Sequence, residues 1–214
     1  MFGWFRKKKN KEAHLEIPEK AKAPGWTAIE SAFEALYTTK RARQWTHQGV
    51  HRMHDLKSPP ENPLEAVNIY DAGAFWHYVG LGMTDLFEKE SEGEWSGFGY
   101  EFTLRVAKGD EQDPPLWPID VFWTLAKAAF GGSAFGPGHT VKTGPIDGNA
   151  ATKLTALFLI QDPAFGFLET PHGKIGFLMM LGVDGSVRER VLEVGADRVI
   201  EEIRENNPQF ITRL

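Results

Sequence analysis

Residues 96–106 read SGFGYEFTLRV, in which Phe98, Tyr100, Phe102, Leu104 and Val106 alternate with Gly99, Glu101, Thr103 and Arg105. Alternate side chains of a β-strand point to opposite faces, so this spacing predicts a strand with five apolar groups on one face. Phe98, Tyr100, Phe102 and Leu104 are therefore expected to be buried together. The smaller and more polar set is expected to face something shallower or wetter, as in a half-buried antiparallel strand.

Working outward, residues 74–83, AFWHYVGLGM, repeat the alternation, with Phe75, His77, Val79, Leu81 and Met83 on one side and Trp76, Tyr78, Gly80 and Gly82 on the other. This is the natural neighbour of the first strand. The connection, TDLFEKESEGEW, is polar and acidic and is expected to reach out as a surface loop. Residues 154–160 and 175–183 are nearly continuous apolar runs, the pattern of central strands covered on both faces. Thr170-Pro171-His172-Gly173 suits a tight turn between them, and the Gly/Pro-rich residues 131–148 suit a loop with one short strand near 139–142.

Helices are predicted around these strands. Thr27 and Glu30 form a T-x-x-E capping box ahead of Ile29, Phe33, Leu36 and Tyr37. A second helical stretch is expected over 40–56, closed by Pro59-Pro60, with a further helical turn in 63–70. Ile119, Phe122, Trp123, Ala126, Ala129 and Phe130 make an apolar stripe on a helix that follows Pro118. Ser186 and Glu189 form another capping box, and a last helix is expected from 196 to about 205, stopped by Asn206-Asn207-Pro208. With no internal repeat and no composition break, residues 26–214 are read as one α+β domain with a mixed, largely antiparallel central sheet flanked by helices. Residues 1–25 are read as a flexible basic amino-terminal tail. Its MFGWF start, followed by Arg6, Lys7, Lys8, Lys9 and Lys11, allows weak contact with an anionic membrane surface.

The totals exclude several classes of function. A chain of 214 residues can bury a full core unaided, and the lack of any cysteine removes disulfides, thiolate metal sites and thiol nucleophiles. That composition fits a reducing compartment, so a cytoplasmic location is expected. A formal net charge of -5 argues against nucleic-acid binding, and no apolar run reaches the roughly 18 residues of a membrane span. Seven Trp and fifteen Phe exceed what a minimal core demands, which leaves aromatic rings available to face a partner.

Catalytic motifs are scarce. The glycine-rich loop lacks the Lys-Ser/Thr pair of a phosphate cradle, and no serine sits in G-x-S-x-G. His47, His51 and His54 recur at i, i+4 and i+7, which on a helix would place three imidazoles on one face and could hold zinc or copper. Gly49 weakens that helix, so the expectation is no metal, with a hydrolase or metal-dependent enzyme at these histidines as the alternative. His77, among the aromatics of FWHY, is expected to be a hydrogen-bonded core histidine. Glu88, Glu90, Glu92 and Glu94 crowd one loop and read as a solvated, partner-steering face.

Taken together, FWHYVGLGMTDLF at 75–87, SGFGYEFTLR at 96–105, PLWP at 115–118, Gly138-His139, Asp162-Pro163, TPHG at 170–173 and LGV at 181–183 resemble the suppressor of fused family. The resemblance covers roughly 26–205. It implies an α+β domain without known catalysis or cofactor that works by binding other proteins. In animals the family is a cytoplasmic negative regulator of Hedgehog signalling that holds zinc-finger transcription factors through a strand added between two domains, of which this chain matches the first. Short bacterial members have been proposed as immunity proteins against toxins. Within the resemblance Asp162 matches an acidic residue lining the family's partner groove and His139 matches a histidine of the family, whereas the acidic residue before that histidine is Gly138 here. The expected function is thus a non-enzymatic protein-binding module, an immunity protein that neutralises a basic toxin. Its candidate contacts are Asp162, His139, Glu88, Glu90, Glu92 and Glu94.

Overall fold

The alternating stretch forms the middle of a mixed sheet. In a computed structural model, which describes residues 23–37, 43–46, 64–110 and 112–214, the elements run α1 (Pro24–Tyr37), β1 (Arg43–Thr46), β2 (Ala66–Asp71), β3 (Phe75–Leu81), β4 (Trp95–Ala107) and α2 (Trp117–Phe130). They continue as β5 (Thr140–Lys142), β6 (Ala156–Gln161), β7 (Phe167–Thr170), β8 (Gly173–Val183), α3 (Gly185–Val194) and α4 (Ala196–Asn206). The strand order is β1-β2-β3-β4-β8-β6-β5, with β7 also on β8. Among these strands only the β4–β8 pairing is parallel, and an isolated parallel bridge joins Val106 to Thr212. β6 and β7 lie end to end along one side of β8, and the short excursion 162–166 between them carries Asp162.

Helix α2 covers one face of this sheet. Phe102, Leu104 and Val106 of β4 meet Ile119, Phe122, Leu125 and Ala126 there in a continuous apolar layer with Trp76, Tyr78, Leu157 and Leu159. The opposite face has two separate apolar clusters. One, under α1, joins Ile29 and Phe33 to Tyr70, Val79 and Phe177, and the other, under α3 and α4, joins Phe158, Met179 and Leu181 to Val199 and Phe210. Between them runs the polar side of β4: Glu101, Thr103 and Arg105.

Those three residues correct the expectation of a wet second face, because all are buried. Helices cover the sheet on both sides, so the polar groups are satisfied by protein instead of solvent. The expected burial of Phe98 is also corrected: it is 43% exposed, and Tyr100 is only partly buried, while Phe102 and Leu104 are fully enclosed. The cause is a break in register between Trp95 and Tyr100, where Gly97 at φ 52° and Gly99 at φ 81° adopt left-handed backbone. The break turns Ser96 inward, and its hydroxyl accepts the Asp85 amide at 2.8 Å.

Other departures are local. Residues 43–46 form an edge strand where a helix over 40–56 was expected, with Trp45 packed 4.8 Å from the Trp123 ring. The segment expected as a helical turn within 63–70 supplies β2. Neither capping box acts as one. α1 starts a turn earlier at Pro24, so Thr27 lies within it and donates to the Ala23 carbonyl. α3 is capped by Asp184, whose carboxylate accepts the Ser186 amide. The remaining strands other than β7, together with α2, α4 and the 170–173 turn, follow the sequence reading closely, whereas β7, the short strand leading into that turn, was not expected.

Phe102→Ala is expected to cost about 3–5 kcal/mol by opening a cavity, whereas Phe98→Ala is expected to cost no more than about 1.5 kcal/mol. Urea unfolding of the two variants checks the difference, and equal losses would place the break in β4 wrongly.

Candidate functional site

Two groups of residues beside β4 have unusual surroundings, one fully enclosed and one open. The enclosed group centres on Asp162, which the excursion between β6 and β7 projects over β4. Its carboxylate accepts Arg105 Nη2 at 2.6 Å, the Thr103 hydroxyl at 2.8 Å and the Ala164 amide at 2.9 Å. His77 Nε2 lies 3.2 Å from Oδ2, poorly aligned for a hydrogen bond, and Tyr37 Oη from α1 shares a hydrogen bond with His77 Nδ1 at 2.6 Å. Arg105 also donates to the Gln209 carbonyl at 3.0 Å, which ties in the carboxyl-terminal segment. There Thr212 bridges β4 and β8: its amide donates to the Arg105 carbonyl, and its hydroxyl accepts the Gly182 amide.

The charges in this knot follow from burial and pairing. Burial alone would raise the Asp162 carboxyl, but His77, Arg105 and the Ala164 amide more than offset it and hold it below the ordinary carboxylate range. Burial holds His77 below its ordinary value, against the pull of Asp162, and pushes the Tyr37 phenol up to about 12. A neutral His77 that accepts from Tyr37 carries its proton on Nε2, facing Asp162. A second buried carboxylate, Glu101, accepts the amides of Gly82, Met83 and Thr84 at 3.0–3.1 Å and the Thr84 hydroxyl at 2.7 Å. Burial pushes it up to about 7 against those hydrogen bonds. Glu101 thereby fastens the start of the β3–β4 loop to the sheet. Asp162 and His77 are both fully buried, so these titratable groups face one another and no solvent-filled cavity.

The open group lies where α2 ends and the amino-terminal part of β4 runs on beyond it. Phe130, the last residue of α2, is 42% exposed and packs 4.8 Å from the Phe98 ring. Trp95 and Phe167 are 40% and 58% exposed and meet edge to face at 5.4 Å, with Lys174 Nζ 4.7 Å above the Phe167 ring. The β3–β4 loop borders them, and it folds back on itself where an outreaching loop was expected. Asp85 accepts the Ser91 amide at 3.1 Å, and the Ser91 hydroxyl accepts the Gly97 amide at 3.0 Å. Glu88, Glu90, Glu92 and Glu94 consequently point outward. Glu65, Glu88 and Glu90 line a cleft of about 400 Å³ together with Phe87, Phe98 and Phe130.

The structure therefore brings together some of the sequence candidates and separates others. The four glutamates share one loop beside the aromatic rings, with Glu94 partly neutralised by Lys174 at 3.6 Å. Asp162 is enclosed and fully engaged, so it presents no carboxylate to a partner in this arrangement. His139 is exposed but lies beside β5, at the far edge of the sheet. His47, His51 and His54 lie outside the described residues, and among the described residues no group of three or more His, Asp or Glu is placed to hold a metal ion. Among the same residues no helix is long and apolar enough to cross a membrane. Sequence reasoning missed Arg105 as the partner of Asp162, since nothing local links residues 57 positions apart.

Because Asp162 titrates below its ordinary range, its stabilisation is present above about pH 4 and is lost as pH falls below that value. The lowered His77 acts in the same direction, reducing stability below about pH 6.5, whereas the raised Glu101 reduces it as pH climbs from about 4.5 to 7. Asp162→Asn is expected to cost about 3–5 kcal/mol near neutrality by leaving Arg105 buried and unpaired. Urea unfolding should show that gap narrowing towards about pH 3, as the wild-type carboxylate protonates. A gap of unchanged size at both pH values would contradict the pairing.

Comparison with known proteins places this architecture. The family model for suppressor of fused protein (SUFU) matches residues 60–214. The human suppressor of fused homologue is 31% identical over 139 residues, a match covering 57% of this chain and 28% of the human protein, and the mouse homologue is 30% identical over the same length. The chain thus spans less than a third of these curated relatives. The crystal structure of Drosophila Suppressor of Fused is similar with a TM-score of 0.76 at 24% identity, covering 92% of this chain and 52% of that one. A Sufu–Fu complex structure gives the same TM-score and identity with 90% of each chain covered. A SUFU homologue from Neisseria gonorrhoeae gives 0.56 at 14% identity, covering 87% of this chain and 92% of that one. With that family's model matched over most of its length, the chain belongs to the suppressor of fused family.

Proposed function

We propose that this protein is a non-enzymatic binding module that sequesters a basic protein partner on the face formed by Trp95, Phe98, Phe130, Phe167 and the acidic β3–β4 loop. The observation that carries the reading is the set of four exposed aromatic rings at one end of the sheet, in two touching pairs. Large rings held at the surface by a rigid scaffold provide contact area at small entropic cost and dominate many interfaces. Glu88, Glu90 and Glu92 beside them select for positive charge and steer its approach.

Family membership supports the same reading, since one relative is known in a complex of Sufu with Fu. Short family members have been proposed as immunity proteins, so the partner class we infer is a toxin with a basic surface, met in the cytoplasm. The protein acts by covering that surface, with no turnover. Its buried ionisable groups support this role, because the carboxylates of Asp162 and Glu101 are engaged by groups of the scaffold and Arg105 and His77 are enclosed beside Asp162.

Inhibition should saturate at a fixed ratio with a basic protein, which is then recovered chemically unchanged. Joint replacement of Phe98 and Phe130 by Ala should weaken the complex by about 2 kcal/mol or more while the protein stays folded. Added salt should slow association and barely alter dissociation. Binding kinetics at two ionic strengths check both points. Substoichiometric inactivation or covalent change in the partner would establish an enzyme instead.

A further inference from the structure

The chain enters its fold beside this same face. Ala23 and Pro24 lead into α1, and the Gly25 amide donates to the Leu86 carbonyl at 3.0 Å. The approach is so close that a Cβ on Gly25 would lie 2.3 Å from the Asp85 carbonyl oxygen. Trp26, one residue on, packs 6.4 Å from the Phe87 ring. Leu86 and Phe87 also line the cleft that holds Phe98, Phe130, Glu88 and Glu90. The preceding segment is thus tethered at the rim of the cleft.

That segment, residues 1–22, lies outside the described residues, but its chemistry is the complement of the cleft. It contains seven basic and three acidic residues, so residues 23–214 carry nine net negative charges against five for the whole chain. Within it Phe2, Trp4 and Phe5 precede Arg6, Lys7, Lys8, Lys9 and Lys11, with no acidic residue before Glu12. Aromatic rings followed by cations match exposed aromatic rings bordered by glutamates. The 18 residues from Phe5 to Ala23 can extend up to roughly 60 Å, ample for returning to a cleft at their own point of attachment. A short tether holds its ligand at an effective concentration of about millimolar, so weak contacts suffice.

We propose that residues 2–11 are an intramolecular ligand of the cleft lined by Phe98, Phe130, Glu88 and Glu90, and that a basic partner must displace them to bind. The first part stands on tether and complementarity, while the second rests on the function proposed above. The tail makes access competitive: a partner that offers only weak basic contacts is excluded, and one that fills the aromatic cleft more fully is admitted. This gives the amino-terminal cations a role in selecting the partner.

The test uses the full-length protein and a zero-length carbodiimide, which joins lysine amines to carboxylates in direct contact. Amide links from Lys7, Lys8, Lys9 or Lys11 to Glu88, Glu90 or Glu92 within one chain are expected, independent of protein dilution and suppressed by high salt. Replacing Lys7, Lys8 and Lys9 by Glu should reduce links from the segment at least about fivefold, because the attraction is then reversed. Adding Glu88→Lys and Glu90→Lys to that variant should restore links with the chemistry reversed. Phe98→Ala with Phe130→Ala should reduce them with every charge in place.

Absence of such links overturns the proposal, as do links that form only between chains and vanish on dilution. Capture by phosphatidylserine vesicles without intramolecular links would assign the segment to a lipid surface and equally overturn it. None of these measurements needs the partner. Loss of the links with partner binding intact therefore rejects the tail alone, and persistence of the links in a protein whose partner ignores Phe98 and Phe130 rejects the proposed binding face alone.

Discussion

The carboxylate of Asp162 is the point on which the second face of the sheet depends. A sheet covered on both faces ordinarily carries apolar strands through its centre, yet β4 turns Glu101, Thr103 and Arg105 into the seam between two apolar clusters. An arginine left alone there would cost several kcal/mol, and Asp162 offsets that cost only because Thr103 and the Ala164 amide complete its shell. Through this one group the excursion between β6 and β7 is joined to β4, and through His77 and Tyr37 to β3 and α1. The arrangement fixes where α1 sits over the sheet, and with it where the amino-terminal segment enters.

Glu101 performs the matching task one step nearer the open end of β4. By gathering three successive amides and a hydroxyl it pins residues 82–84, and Asp85 and Ser91 close the remainder of the loop onto Gly97. A loop held in this way keeps its glutamates turned outward beside the rings of Phe98 and Phe130. The scaffold thus uses its buried charges to build shape, and the aromatics and acids left exposed at the open end form the face we propose for partner binding. Such a division suits a protein that works by contact, since a rigid face loses little entropy on binding.

Much of this was legible in the sequence where period and composition were strong. The alternation of β3 and β4, the apolar runs of β6 and β8, the stripe of α2 and the 170–173 turn each carry a local signal, and the ordered motifs from Phe75 to Val183 pointed to the family. The signal failed where the decisive contact was distant or the segment short. Phe98 keeps the alternating pattern through a break caused by Gly97 and Gly99, so its exposure is invisible to periodicity. Four residues of β1 are too few to show a period against the helical spacing read in the sequence over 40–56. Thr27 and Ser186 carried genuine capping patterns, but Pro24 and Asp184 start their helices earlier. Asp162 was singled out by resemblance as a contact residue, while its actual neighbours, Arg105 and His77, come from strands far away in the chain.

Hydrogen–deuterium exchange of the full-length protein, alone and with its purified basic partner, tests the central claim most directly. The account predicts slowed exchange in residues 83–98, around Phe130 and in β7, with β5 and the residues next to His139 unchanged. Slowed exchange confined to β5 and residues 138–142, with the acidic loop unaffected, would contradict it and move the interface to the far edge of the sheet.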